Sequence, residues 1–317
     1  FSSLVEPSFR ATISDLLEKE EYTKASGMVQ LIPASRYLLS PVLSGLVLSI
    51  AGIRSILFLD ILTILITLPV TYAVRKEMKG VCRPVEAKLG EDLKFGFHII
   101  YDKKGLWVLV MLGILVSFCL GTVQTLMIPM LLSFGGESFA GFATTISAFG
   151  MLAGGLILGR VSIKKDLTYI LQFALFGMGF FMAAFAWREN KIMVCLFGFC
   201  LFLSLPFANT AMDYLVRVTV PSVHQGKAWG LIGLISQVGY VAAYALTGVL
   251  VDFIINPFMQ KESGIARAVL ALIGRGEGRS AALMIILAGA FLMIIALILP
   301  CRNEIRKLEE EHVLDAA

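Results

Sequence analysis

The sequence predicts an all-α membrane protein made of two helical bundles, and three observations carry that expectation. First, 57% of the 317 residues are hydrophobic and 16% are charged, with a mean hydropathy of +0.83, which is too apolar for a water-soluble domain of this length. Second, apolar stretches long enough to cross a hydrocarbon core of roughly 30 Å recur along the chain. Third, residues 24–48 and 227–251 are one segment written twice, at a constant offset of 203 and without a gap. They share eight identities in 25 positions: Lys24/Lys227, Ala25/Ala228, Gly27/Gly230, Leu31/Leu234, Ile32/Ile235, Tyr37/Tyr240, Leu43/Leu246 and Gly45/Gly248. Apolar composition alone would give roughly two or three, so the segment is read as an internal duplication, and parallel halves of this kind are a transporter signature.

Eight stretches qualify as spans: 28–52, 54–74, 105–132, 139–159, 167–187, 192–216, 228–252 and 281–300. Each is expected to be a helix, because an unpaired backbone amide cannot face lipid. Residues 1–9 read as the tail of an earlier span. Carrying the offset back from Gly105 predicts a first-half counterpart about a hundred residues before Phe1, and hence a twelve-helix parent. The expected division is a remainder of the N-terminal bundle over 1–75 (end of the fourth helix, fifth and sixth helices), a central loop over 76–104, and a C-terminal six-helix bundle with a short tail over 105–317.

Orientation follows from basic residues. Segments 9–27, 75–104, 160–166, 217–227 and 301–317 hold 19 of the 27 Lys and Arg, the opposite segments hold seven, and Arg36 lies within a span. The first set, including the C-terminus, is therefore expected on the cytoplasmic side of the cell membrane. The basic excess is topological, so no nucleic-acid partner is expected. Within the central loop, Leu89, Leu93, Phe97 and Ile100 recur at helical spacing among charged residues, as in an amphipathic helix on the inner leaflet.

Several motifs are set aside on physical grounds. Gly274, Gly276 and Gly278 invite comparison with a phosphate loop, but no Lys-Ser or Lys-Thr follows and no strand precedes, so they read as a turn. Gly154 to Gly159 has Walker spacing without the Lys, inside an apolar span. No nucleotide is expected as a partner, no cofactor is implied, and the five Cys and three His show no metal-ligand spacing. No paired nucleophile and base stands out, which argues against an enzyme.

Two segments carry a family resemblance: Asn209-Thr-Ala-Met-Asp213-x-x-x-Arg217, and Gln225-Gly-Lys-Ala-Trp229-Gly-Leu-Ile-Gly233-x-x-Ser-Gln237-x-Gly-Tyr240. They resemble the tenth and eleventh helices of bacterial major facilitator superfamily permeases, and most of all the macrolide-efflux type of drug:proton antiporter. Glu6-Pro7-Ser-Phe, Leu59-Asp60, Asn256-Pro257 and Ile273-Gly-Arg-Gly-Glu-Gly-Arg279 extend the resemblance over nearly the whole chain. It implies the superfamily fold in part, with the end of helix 4 and helices 5 to 12 of a two-bundle transporter. It also implies a small organic substrate and protons as coupling ion.

Polar groups inside spans are the candidate site residues, because placing them in lipid is unfavourable unless a cavity, a partner or snorkelling offsets it. Arg36 lies eight residues inside its span, roughly 12 Å deep at 1.5 Å per residue; it either meets substrate or snorkels, and its repeat equivalent is Gly239. Gln237, Tyr240 and Tyr244 share one helix face and, with Gln124 and Asn209, are candidates for a cavity wall; interhelical hydrogen bonding is the alternative for each. Glu6 and Arg10 have Asn209 and Asp213 as repeat equivalents, with Arg217 four residues further on. These, with Arg160, are candidates for a latch at the inner mouth, and Asp213 and Arg217 are expected to meet groups near Arg160 or the inner end of the fifth helix. Asp60 is expected to pack against a partner, and Gly155-xxx-Gly159 and Gly226-xxx-Gly230 to mark close helix contacts. Export of a bulky amphipathic compound is weighed against export of a siderophore or other metabolite, and against a non-transporting receptor or assembly protein on the same fold.

Overall fold

The computed structural model describes residues 22–29, 54–55, 57–70, 72, 89–161, 166–260, 264–274, 276, 278–299 and 305. Among them every regular element is helical: α1 (Tyr22–Val29), α2 (Leu57–Val70), α3 (Leu89–Asp102), α4 (Lys104–Arg160), α5 (Leu167–Trp187), α6 (Lys191–Thr219), α7 (Ser222–Leu250), α8 (Asn256–Gln260), α9 (Gly264–Ile273) and α10 (Arg279–Ile298). Five helices are long and apolar enough to cross a bilayer: α4, α5, α6, α7 with its continuation to Gln260, and α10.

Helix α4 is two spans in one. The expected loop near residues 133–138 is replaced by a single break at Gly136, whose φ of 74° and ψ of 178° are accessible to glycine and to almost nothing else. The chain turns there, so a first arm (104–135) and a second arm (137–160) run antiparallel and complete six spans from Lys104 onward. Helix α6 starts where Asn190 Oδ1 accepts from the amides of Ile192 at 3.0 Å and Met193 at 3.2 Å, a side-chain N-cap. Helix α7 does not stop at Asp252 as the sequence suggested. Pro257 has no amide to offer the ladder and its ring crowds the carbonyl four residues back. The helix widens into a π turn over Val251–Ile255, in which Asn256 donates to the Val251 carbonyl, and continues as α8. Asp252 is solvent-exposed.

The spans α4, α5, α6, α7 and α10 pack around one apolar core that includes Leu109, Cys119, Met130, Leu171, Met178, Leu215 and Leu292. Several of their close approaches fall at glycines. A Cβ on Gly179 would lie 2.6 Å from the Gly289 carbonyl, and one on Gly289 2.6 Å from that of Gly179, so α5 and α10 cross backbone to backbone. The second arm of α4 meets α6 at Gly150, against the Phe199 carbonyl, and at Gly154, 2.6 Å from the Leu203 carbonyl and 3.1 Å from Pro206 Cγ. Gly239 sets α7 against the backbone of Ile114 on the first arm. Of the other glycine contacts expected, Gly155 is buried and Gly159 faces α1, where a Cβ would lie 3.7 Å from Met28 Cγ, whereas a Cβ on Gly230 would meet nothing within 4 Å, so that contact is not made. Helix α2 stands apart, with every described residue exposed, so Asp60 is exposed rather than packed.

At the end opposite Arg217, the glycine-rich turn is a turn, with φ of 94° at Gly274 and 83° at Gly278. It also aims Arg279 inward, which the sequence did not announce. Only 2% exposed, Arg279 donates to the carbonyls of Ile273 at 2.8 Å and Trp187 at 3.4 Å, and its Nε lies 3.2 Å from Glu189 Oε1. It thereby satisfies the C-terminal carbonyls of α5 and α9 from the start of α10.

Replacing Gly179 by Ala is expected to lower the thermal stability of the purified protein by about 1–3 kcal/mol through overpacking. Gly230→Ala, where a Cβ meets nothing within 4 Å, is expected to leave the melting temperature unchanged or slightly raised. Equal effects of the two substitutions on the melting curve in detergent would contradict the backbone crossing at Gly179.

Candidate functional site

The densest group of buried polar side chains among the described residues sits where α6 ends and α7 begins. Asp213, Arg217 and Thr219, in the last two turns of α6, are buried, and so is Gln225 in the first turn of α7. A guanidinium 3% exposed needs compensation for the water it has lost. Two rings supply part of it: the guanidinium carbon of Arg217 lies 5.8 Å from the Tyr22 ring centroid and 5.5 Å from that of Trp229. The electron-rich ring faces attract the cation in a medium where water cannot. Tyr22 also meets Tyr214 edge-on, with centroids 6.4 Å apart.

The backbone beneath this cage is pinned. Gln225 Nε2 donates to the carbonyls of Arg217 at 2.9 Å and Val220 at 3.1 Å, and Lys103 Nζ donates to the Thr219 carbonyl at 3.1 Å. These bonds satisfy the otherwise orphaned C-terminal carbonyls of α6 and place a cation where the helix dipole favours one. Trp229 belongs to a buried apolar cluster with Ile100 of α3 and with Leu106, Val110 and Val216. Helix α1 packs on α4 and α6 here.

A second group lies midway along α7 and the first arm of α4. Tyr244 Oη donates to Gln124 Oε1 at 2.8 Å, and the Tyr240 and Tyr244 rings stand 6.1 Å apart. Gln124, Gln237 and Tyr244 are exposed and Tyr240 is half-buried, whereas Thr122 and Thr247 bond at 3.3 Å in the buried seam behind them. The patch offers neutral donors and acceptors beside aromatic faces, a chemistry suited to an amphipathic organic molecule.

Of the sequence-predicted residues, Gln124, Tyr240 and Tyr244 thus come together, with Gln237 one turn away on the same helix. Asn209 stands half-buried on α6, one turn before Asp213. Arg160 ends α4 as an exposed residue, and the described ring that α1 brings to Arg217 is Tyr22. Glu6, Arg10 and Arg36 lie outside the described residues, as do residues 30–48 of the duplicated segment 24–48. Tyr22 and Trp229 were not anticipated. Tyr22 and Gln225 are repeat equivalents that both address Arg217, but an aromatic ring and an amide at matched positions give no identity to notice. Trp229 is matched by Ser26 and was equally hidden.

The comparisons with known proteins agree with this architecture. The model of the Major Facilitator Superfamily matches residues 1–243. Macrolide efflux protein A of Streptococcus pyogenes is 24% identical over 315 residues, covering 96% of this chain and 70% of its own. The protein of the same name from Enterococcus faecalis is 24% identical over 241 residues, 72% of each chain. The uncharacterized MFS-type transporter YfiS of Bacillus subtilis is 22% identical over 266 residues, 80% of this chain and 63% of its own. With its all-helical spans, its glycine crossings and a family match over most of its length, the chain belongs to the major facilitator superfamily of multi-pass membrane transporters.

Proposed function

We propose that the protein exports a bulky, partly apolar organic compound across the cell membrane in exchange for protons, by alternating access between two bundles. Residues 1–75 contribute the remainder of the first bundle, 76–104 the cytoplasmic link, and 105–317 the second bundle and a cytoplasmic tail. The observation that carries this reading is the closure of α1 on Arg217 at one end of the second bundle, while the Gln124, Tyr240 and Tyr244 patch stays exposed midway along it. A transporter needs such a pairing, a mouth that one half seals against the other and a binding wall that the seal exposes or hides. The basic excess in the segments flanking Arg217 supports a cytoplasmic assignment for that mouth. The names of the streptococcal and enterococcal relatives support a macrolide-like compound, and the neutral aromatic patch suits one. A siderophore-like or acidic metabolite is the second reading, favoured by the charge of Arg36 within the fifth span. Asp213 is assigned to the latch with Arg217, and Gln237 and Asn209 to the cavity wall.

Two outcomes follow. In a pump-deficient host, expression of the full-length parent is expected to lower accumulation of macrolides, and a protonophore to restore it to the level of the empty host. Unchanged accumulation across macrolides and acidic metabolites would remove the export reading, and protonophore-insensitive export would remove the antiport step. Asp213→Asn is expected to slow export by an order of magnitude or more, about 1.4 kcal/mol, while substrate affinity of the purified protein changes little. Loss of affinity with an unchanged export rate at saturating substrate would move Asp213 into the binding wall.

A further inference from the structure

At about 100° per residue, the face of α3 divides into arcs with different neighbours. Gly96 and Ile100 form one arc: Ile100 is fully buried, and a Cβ on Gly96 would lie 3.3 Å from the Lys227 carbonyl and 3.4 Å from the Leu231 side chain. Phe97 and Tyr101 form the next arc, 46% and 64% exposed, with rings stacked 6.1 Å apart. Both stand edge-on to Trp107 in the first turn of α4, at 5.7 Å and 6.0 Å. Lys94 borders this arc and Lys104 begins the span beside it, both exposed. The acidic Asp102 is turned away and pairs with His98 at 3.3 Å. The sequence expectation of one apolar face lying in the leaflet is therefore only half of the arrangement, since the Gly96 and Ile100 arc is spent on the protein.

Two exposed rings continuous with a half-buried third would be a poor surface in water. They sit beside the first turn of a bilayer-spanning helix, at the level where aromatic side chains favour the headgroup region. Lys94 and Lys104 border the rings, and Asp102 is paired with His98, a charge arrangement that fits a negatively charged membrane surface. We propose that Phe97, Tyr101 and Trp107, flanked by Lys94 and Lys104, form a docking surface for anionic lipid headgroups. With the orientation assigned above, that surface is the cytoplasmic leaflet. The contact is one side chain removed from the Arg217 cage, because Ile100 and Trp229 share a buried cluster.

The test uses the full-length protein in nanodiscs whose lipids carry bromine either close to the headgroup or near the chain end. The fluorescence of Trp107 is isolated as the component lost in Trp107→Phe. Shallow bromine is expected to quench it more than deep bromine. In titrations with brominated phosphatidylglycerol in a phosphatidylcholine host, the half-quenching fraction is expected to rise about five-fold for each of Lys94→Gln and Lys104→Gln. No preference for shallow bromine would overturn the proposal and give the arc to the first bundle. Shallow quenching without dependence on phosphatidylglycerol or the two lysines would overturn the anionic docking. Nanodiscs expose both leaflets, so either failure leaves the orientation and the export reading untouched.

Discussion

Inside a bilayer a side chain gains nothing by leaving lipid for a neighbouring helix, so a bundle holds together only where helices come close enough for van der Waals contact and polar bonds to accumulate. The second bundle meets this constraint with small residues at its crossings. Gly179 and Gly289 bring α5 and α10 into backbone contact, Gly150 and Gly154 bring the second arm of α4 onto α6, and Gly239 brings α7 onto the first arm. The buried Thr122 and Thr247 pair adds a hydrogen bond to that last seam. These contacts fix where every other side chain can point. The Gln124, Tyr240 and Tyr244 patch stands on the exposed side of the seam that Gly239 closes, and the Arg217 cage stands at its end.

The contact between α1 and this bundle is of another kind. It consists of the Tyr22 ring over Arg217 and against Tyr214, with Met28 beside Gly159. Each cation–π contact is worth about 0.5–2 kcal/mol, while shifting a two-state equilibrium from one side to the other takes about 5.5 kcal/mol. Contacts of this size bias an equilibrium without locking it. Within the cage, Trp229 shares a buried cluster with Ile100, and the end of α6 is held by Gln225 and Lys103. Among the described residues, helix α1 adds to it only the Tyr22 ring.

The fold was legible in the sequence because lipid imposes its demands through length and composition. Helix α5 matches the expected span 167–187 residue for residue, and α10 begins and ends two residues before the expected 281–300. What escaped were features decided by three-dimensional approach. The break between the arms of α4 is one glycine rather than a loop, and the helix around Asp252 continues because a π turn absorbs Pro257. The candidate site was legible where hydrogen-bonding residues recur on one helix face, as with Tyr240 and Tyr244. It was not legible where a ring from α1 meets a guanidinium from α6, since nothing in either segment marks the other as its partner. Arg279 was hidden for a similar reason, because a loop arginine gives no sign in sequence that three carbonyl-bearing and acidic groups will converge on it.

The central claim is that the seal between α1 and the second bundle forms and breaks in each transport cycle. The most direct measurement is a reversible disulfide between Met28→Cys and Gly159→Cys, positions in contact at 3.7 Å where a Cβ at 159 finds ordinary space. Mild oxidation without substrate is expected to cross-link the full-length parent in membranes, to abolish efflux, and to leave efflux restored after reduction. Failure to cross-link, or cross-linked protein that exports at the uncross-linked rate, would contradict the account.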